Sequence, residues 1–270
     1  MRRDVSGATI EYDLHTFGQP GGRTLLLLHA FPLHRGMWDG LVEALAAGPD
    51  RSLQVLRLDC RGFGGSLQGR DALVMEQIAD DAVALMRHEG IDRAVVCGLS
   101  MGGYAALAFA RRHPGRLEAL VLADTRAEAD SAEAREGRAR TAVRVRDEGP
   151  GFLADELTPK LLGETTRNER PDVVARVRTM IAEANAEAVA HALEGMALRP
   201  DSRPFLEDVA VPTLVLCGAE DQLTPVEAAE TLRDGIPGAR LEVLPGAGHL
   251  ANLEAPEAFH RAVASFLGSL

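Results

Sequence analysis

Lysine is almost missing from this chain: Lys160 is the only one, and arginine carries the remaining positive charge. No function follows from that bias. Aromatic residues make up only 4% of the 270 residues, which argues against a large aromatic-stacking site. Three cysteines, Cys60, Cys97 and Cys217, lie on apolar stretches that read as strands. An odd, sparse set of this kind is not a disulfide framework. Their spacing also lacks a paired metal-ligand pattern, so they read as small core residues. No apolar run of 18 residues occurs, and the start Met1-Arg2-Arg3-Asp4 leads into polar residues rather than a signal-type apolar stretch. A soluble, cytoplasmic protein is expected. No internal repeat is visible. The formal charge of −11 would repel nucleic acid and anionic membrane surfaces, so neither is expected as a partner.

What is present is an ordinary globular composition, 46% hydrophobic, long enough for one large α/β domain or two small ones. Residues 8–17 alternate loosely, as an edge strand or hairpin does. Short continuous apolar runs follow at Thr24–Leu28, Leu53–Leu58, Ala94–Cys97, Leu117–Ala123, Val211–Cys217 and Ala239–Leu244. Runs without clean alternation fit strands covered on both faces. Helical patterns fall between them, near 37–47, 75–88, 101–112, 225–234 and 256–267. Strand and helix alternating in this way predict a mostly parallel sheet. Residues 127–204 break the rhythm. They hold no convincing strand, are rich in Ala, Glu and Arg, and show helical spacing at Val173, Val177, Met180 and Ile181. This predicts a helical insertion longer than an ordinary connection, dividing a core of 1–126 and 205–270.

The chemistry is concentrated at the ends of those runs. Ser100 sits in Gly98-Leu99-Ser100-Met101-Gly102, between an apolar run and a helix. A serine hydroxyl attacks poorly unless a base takes its proton. A sharp strand-to-helix turn lifts the Oγ above the sheet and aims a helix N-terminus at it, and the crowded backbone calls for glycine on both sides. His249, in the loop Pro245-Gly246-Ala247-Gly248-His249 after the last run, is the candidate base. His15, His88, His113, His191 and His260 fall within elements and have ordinary structural readings. Two acids compete to orient the base. Asp221 follows the run Val211–Cys217 and gives the chain order Ser, Asp, His; Asp124 follows Leu120–Ala123 and is the fallback. Glu220 reads as a surface residue. Acyl transfer also needs two N–H donors for a developing oxyanion. Met101 supplies one; Phe31, in His29-Ala30-Phe31-Pro32, supplies the other, with Pro32 holding Phe31 extended. His29 reads as a brace for that loop.

These pieces, together with Asp59-Cys60-Arg61-Gly62-Phe63-Gly64-Gly65-Ser66 and the stretch from Gly218 to Pro225, resemble the α/β-hydrolase superfamily, in particular its small esterase and enol-lactonase-like members. The likeness covers about 15–250 in the family's order. It implies an eight-stranded, mostly parallel sheet flanked by helices, with 127–204 as a cap over the pocket. It carries Ser100, Asp221 and His249 over as a triad, Phe31 and Met101 as oxyanion donors, and the Asp59–Ser66 turn as structural. One departure is Ala30, where many relatives have glycine; alanine tolerates positive φ poorly, so the loop must use another conformation.

The expected activity is hydrolysis of a small carboxylic ester or lactone through an acyl-enzyme, with no metal and no cofactor. The same triad could serve carbon–carbon bond hydrolysis, a lyase step or cofactor-free perhydrolysis, because fold does not fix chemistry. Epoxide hydrolases and dehalogenases of this family carry Asp at the nucleophile position, which disfavours them. A small-molecule receptor is the non-enzymatic alternative. Trp38 and Phe31 are expected as apolar pocket walls, and Arg126 or a cap arginine as a partner for a substrate carboxylate.

Overall fold

The structure is a computed structural model that describes residues 1–5, 7–18, 21–48, 52–67, 69 and 71–270. Its strands are β1 (Arg2–Val5), β2 (Ala8–Gly18), β3 (Arg23–Leu28), β4 (Ser52–Leu58), β5 (Ala94–Leu99), β6 (Leu117–Ala123), β7 (Thr213–Gly218) and β8 (Arg240–Leu244). They form one sheet in the order β1-β2-β4-β3-β5-β6-β7-β8. The pairings of β1 with β2 and of β2 with β4 are antiparallel, and all the others are parallel. The central strands read as continuous apolar runs because both of their faces are covered. All four leucines of Leu25–Leu28 are fully buried, each contributing on the order of 1.5–3 kcal/mol. The edge strand β1 is mostly exposed and polar, so it leaves no hydrophobic period to read. β7 begins at Thr213 rather than Val211, because Pro212 has no N–H to give the ladder.

Eleven α-helices are present among the described residues: α1 (Asp39–Ala47), α2 (Met75–His88), α3 (Met101–Arg112), α4 (Ala132–Glu148), α5 (Gly151–Leu161), α6 (Glu164–Glu169), α7 (Pro171–Ala182), α8 (Ala186–Ala197), α9 (Val226–Gly235), α10 (Ala251–Glu254) and α11 (Pro256–Gly268). A 3-10 turn at Arg35–Trp38 precedes α1. Helix α2 buries Ile78, Ala82, Leu85 and Met86, an apolar stripe at helical spacing that packs toward α3. Helix α3 lies against β3, β5 and β6 and is buried from Met101 to Ala110. Its small residues allow that close approach. Helix α1 packs against α11, and α9 against β7 and β8.

Helices α4–α8 lie between β6 and β7. Two have side-chain N-caps: Ser131 Oγ accepts from Ala134 N at 3.1 Å, and Asn185 Oδ1 from Ala188 N at 3.1 Å. Helix α4 packs on α8 and α5 on α7. The entry and exit of the segment are tied together. Ser202 N donates to Ala127 O at 2.8 Å, and Arg199 Nη2 to Glu128 O at 3.0 Å. No helix among the described residues is long and apolar enough to cross a membrane.

Candidate active site

Ser100 stands between β5 and α3 with φ 56° and ψ −113°, in the left-handed region that non-glycine residues avoid. Such a conformation costs on the order of 1–3 kcal/mol and persists only where neighbours fix it. Here Ser100 N donates to Ala123 O at 3.0 Å, while Ser100 O accepts from Gly103 N at 2.9 Å, Tyr104 N at 3.1 Å and Thr125 Oγ1 at 2.9 Å. The flanking glycines are required by space. A Cβ on Gly98 would lie 2.0 Å from Gly102 O, and one on Gly102 would lie 2.1 Å from Leu28 O.

From this turn a chain of hydrogen bonds runs inward. His249 Nε2 is 2.7 Å from Ser100 Oγ, and His249 Nδ1 is 2.8 Å from Asp221 Oδ2. Asp221 Oδ1 accepts from Leu223 N at 2.8 Å and Thr224 N at 3.0 Å, and its Oδ2 from Thr224 Oγ1 at 2.6 Å. Burial pushes the Asp221 carboxyl upward, but His249 and the Thr224 donors outweigh it, and its pKa lies below the ordinary carboxylate value. An ionised carboxylate only accepts, so Nδ1 carries the proton toward Asp221 and Nε2 is left to accept the Ser100 hydroxyl.

Asp124 does not reach the histidine. Its Oδ1 accepts from Gly218 N at 2.8 Å and its Oδ2 from Ala251 N at 3.2 Å, so it joins β6, β7 and α10. Burial, with the Asp221 charge close by, raises its pKa well above the usual range. Asp124, Cys217 and Asp221 each offer a ligand atom within 4.8 Å of the others. The oxygens of both aspartates already accept the bonds just described, and the Cys217 thiol lies 3.3 Å from Gly218 O and 3.5 Å from Thr224 O, to which it donates. The donor set therefore suits a structural knot better than a metal.

The loop after β3 faces the serine. His29 is fully buried; its Nδ1 donates to Ala30 O at 2.9 Å and its Nε2 accepts from Cys60 N at 2.9 Å. It ties the loop to the Asp59–Ser66 turn. Ser100 and Asp124 are the only non-glycine residues with positive φ among those described. Ala30 thus takes an ordinary conformation, and the Phe31–Pro32 peptide is cis. The backbone N–H groups of Phe31 and Met101 have no protein acceptor among the described residues.

Ser100 and His249 open into a cavity of 510 Å³. Phe31, Leu153, Leu157, Leu161, Leu193, Met196 and Leu223 give it apolar walls, and Tyr104, Arg126, Arg138, Asp130 and Lys160 give it polar ones. Several expectations change here. Trp38 is not a wall: it is fully buried beside Phe259, at 6.1 Å between ring centroids, because the 3-10 turn before α1 directs it toward α11. Arg126 lines the cavity, but its Nη2 is bonded to the Leu223 carbonyl. Arg138 is held by Asp130 at 2.5 Å, and Arg199 by the same carboxylate at 2.8 Å. Glu220 is not simply a surface residue: it accepts from Thr165 N at 2.9 Å and Thr165 Oγ1 at 2.5 Å. Two further residues join the site without a motif to mark them: Thr224, three residues after Asp221, whose hydroxyl turns back onto that carboxylate, and Glu254, four residues after Leu250, whose carboxylate accepts from Leu250 N.

The family model for the alpha/beta hydrolase fold matches residues 23–256, and the chain belongs to that family. It is 31% identical over 248 residues to 3-oxoadipate enol-lactonase 2 of Acinetobacter baylyi, covering 92% of this chain and 90% of that protein. Among solved structures it is similar to a thermophilic esterase from Thermogutta terrifontis, with 41% identity, a TM-score of 0.93 and coverage of 100% of this chain and 98% of that one. The enol-lactonase from Burkholderia xenovorans LB400 follows the same path, with 31% identity, a TM-score of 0.90 and coverage of 99% and 100%.

Proposed function

We propose that the protein hydrolyses a small carboxylic ester or lactone through an acyl-enzyme on Ser100. The observation that carries this is the continuous chain from Asp221 through His249 to Ser100 Oγ, which opens into the cavity, with the N–H groups of Phe31 and Met101 free of protein acceptors among the described residues. Relatives named as esterases and enol-lactonases support the same reaction class.

In this reading Ser100 Oγ attacks the substrate carbonyl as His249 Nε2 takes its proton. The carbonyl oxygen gains a negative charge, which the N–H groups of Phe31 and Met101 and the N-terminus of α3 stabilise. Asp221 fixes the imidazole tautomer and stabilises the imidazolium. The tetrahedral species collapses, the alkoxide leaves with the proton from His249, and Ser100 holds the acyl group. Water then gives a proton to His249 and attacks the ester carbonyl; collapse returns that proton to Ser100 Oγ and frees the acid. In a lactone the leaving alkoxide is the other end of the same molecule.

Helices α4–α8 act in this reading as the cap, since α4, α5 and α8 supply the wall opposite Ser100. Arg126 is assigned to holding the Leu223 loop beside Asp221 rather than to gripping a carboxylate with its full fork. Ser100→Ala tests the reading. Turnover of a short activated ester should fall by about 10³-fold or more, with the circular dichroism spectrum unchanged. Wild-type rates in that variant would refute it.

A further inference from the structure

The turn that joins α5 to α6 belongs to the inserted segment, yet its bonds converge on the acid–base pair. His249 N donates to Leu161 O at 3.1 Å. The carboxylate of Glu254 bridges the two sides, its Oε2 accepting from Gly163 N at 2.7 Å and its Oε1 from Leu250 N, the residue after the histidine, at 2.9 Å. Glu220, the residue before Asp221, accepts both the N–H and the hydroxyl of Thr165. Backbone meets backbone between these bonds: a Cβ on Gly248 would lie 2.2 Å from Gly163 N, and one on Gly163 would lie 2.9 Å from Gly248 N. The glycines are there because the two loops touch.

We propose that the Leu161–Thr165 turn is a mount for the catalytic base, with Glu220, Thr165 and Glu254 as positioning residues that set His249 and Asp221 relative to Ser100. The proposal rests on the hydrolase reading above and deepens it. Leu161 bonds the histidine through its carbonyl and also lines the cavity, so the group that a bound acyl chain would touch is the one that holds the base. The imidazole is fixed along one edge by Asp221 and along its backbone by the insertion. Thr165 and Glu220 lie outside the cavity lining, so loosening the mount at those two residues keeps the walls and lets the base drift. The expected signature is a fall in kcat rather than a rise in KM.

The experiment compares Thr165→Val and Glu220→Gln with the conservative Thr165→Ser, all at the partly exposed side of the mount. Three readouts are taken: kcat and KM on p-nitrophenyl acetate, the labelling rate of Ser100 by a fluorophosphonate, and the low-field proton resonance of His249 Nδ1–H. Thr165→Val and Glu220→Gln should lower kcat and labelling about tenfold, as a small misplacement of a reacting group does, with KM within about twofold. Their low-field resonance should broaden, and Thr165→Ser should restore all three. A lowered melting temperature with kcat, labelling and resonance all unchanged would overturn the proposal, as would a selective rise in KM. Wild-type protein with the sharp resonance, broadened in these variants, but with no turnover and no labelling would instead overturn the hydrolase reading and leave the mount standing.

Discussion

At the scale of single residues, the site depends on places where a side chain has no room. Gly98 and Gly102 each bring backbone within about a bond length and a half of where a Cβ would sit. Gly98→Ala should therefore destabilise the fold by about 3 kcal/mol or more, since the clash is with backbone that cannot rotate away. Urea denaturation against wild type measures it. Arg126→Ala should raise KM for a neutral short-chain ester and for its carboxylate-bearing analogue by the same factor, because its fork serves the Leu223 loop. A selective loss on the anionic ester would return Arg126 to the role its charge first suggested. Ser100, His249 and Asp221 could be picked out from the sequence because each closes an apolar run or a glycine-rich loop. Trp38 could not be placed. A tryptophan beside a site loop reads alike whether it turns into the cavity or into the core, and only the packing of α11 decides.

At the scale of elements, the same contrast holds. The central strands and the helices α2, α3 and α11 are legible because their apolar period is local. β1 is not, since an exposed edge strand carries no such period. The five helices between β6 and β7 could be seen as helical, but their bonds to the core could not, because Thr165, Glu220 and Glu254 come from separate parts of the chain. One of their internal links makes a pH prediction. Asp130, buried between Arg138 and Arg199, is raised by burial and lowered more strongly by the two guanidinium groups, so its pKa lies below 3.8. Its stabilising effect is complete above pH 3.8 and is lost as pH falls through the depressed value. Asp130→Asn should lose stability near neutral pH, leaving a shallower decline of melting temperature at acid pH than wild type shows.

At the scale of the whole molecule, an overall charge of −11 surrounds a cavity whose wall carries Arg126, Arg138 and Lys160 against the single carboxylate of Asp130. The formal charge of the whole chain and that of the cavity wall thus differ in sign, an outer field and an inner one. The outer one should keep polyanions away: fluorescence anisotropy of a labelled DNA duplex should not change on adding the protein, even at low salt where such attraction is strongest.

The joined ends of the inserted segment have a consequence for engineering. Because Ser202 N bonds back to Ala127 O, some seventy residues between β6 and β7 leave and return through one narrow doorway, and ends held close together tolerate exchange. A chimera grafted between those two positions inherits a ready-made junction. What it must also bring is one short turn shaped like Leu161–Thr165, or the transplanted helices will leave His249 without its backbone anchor.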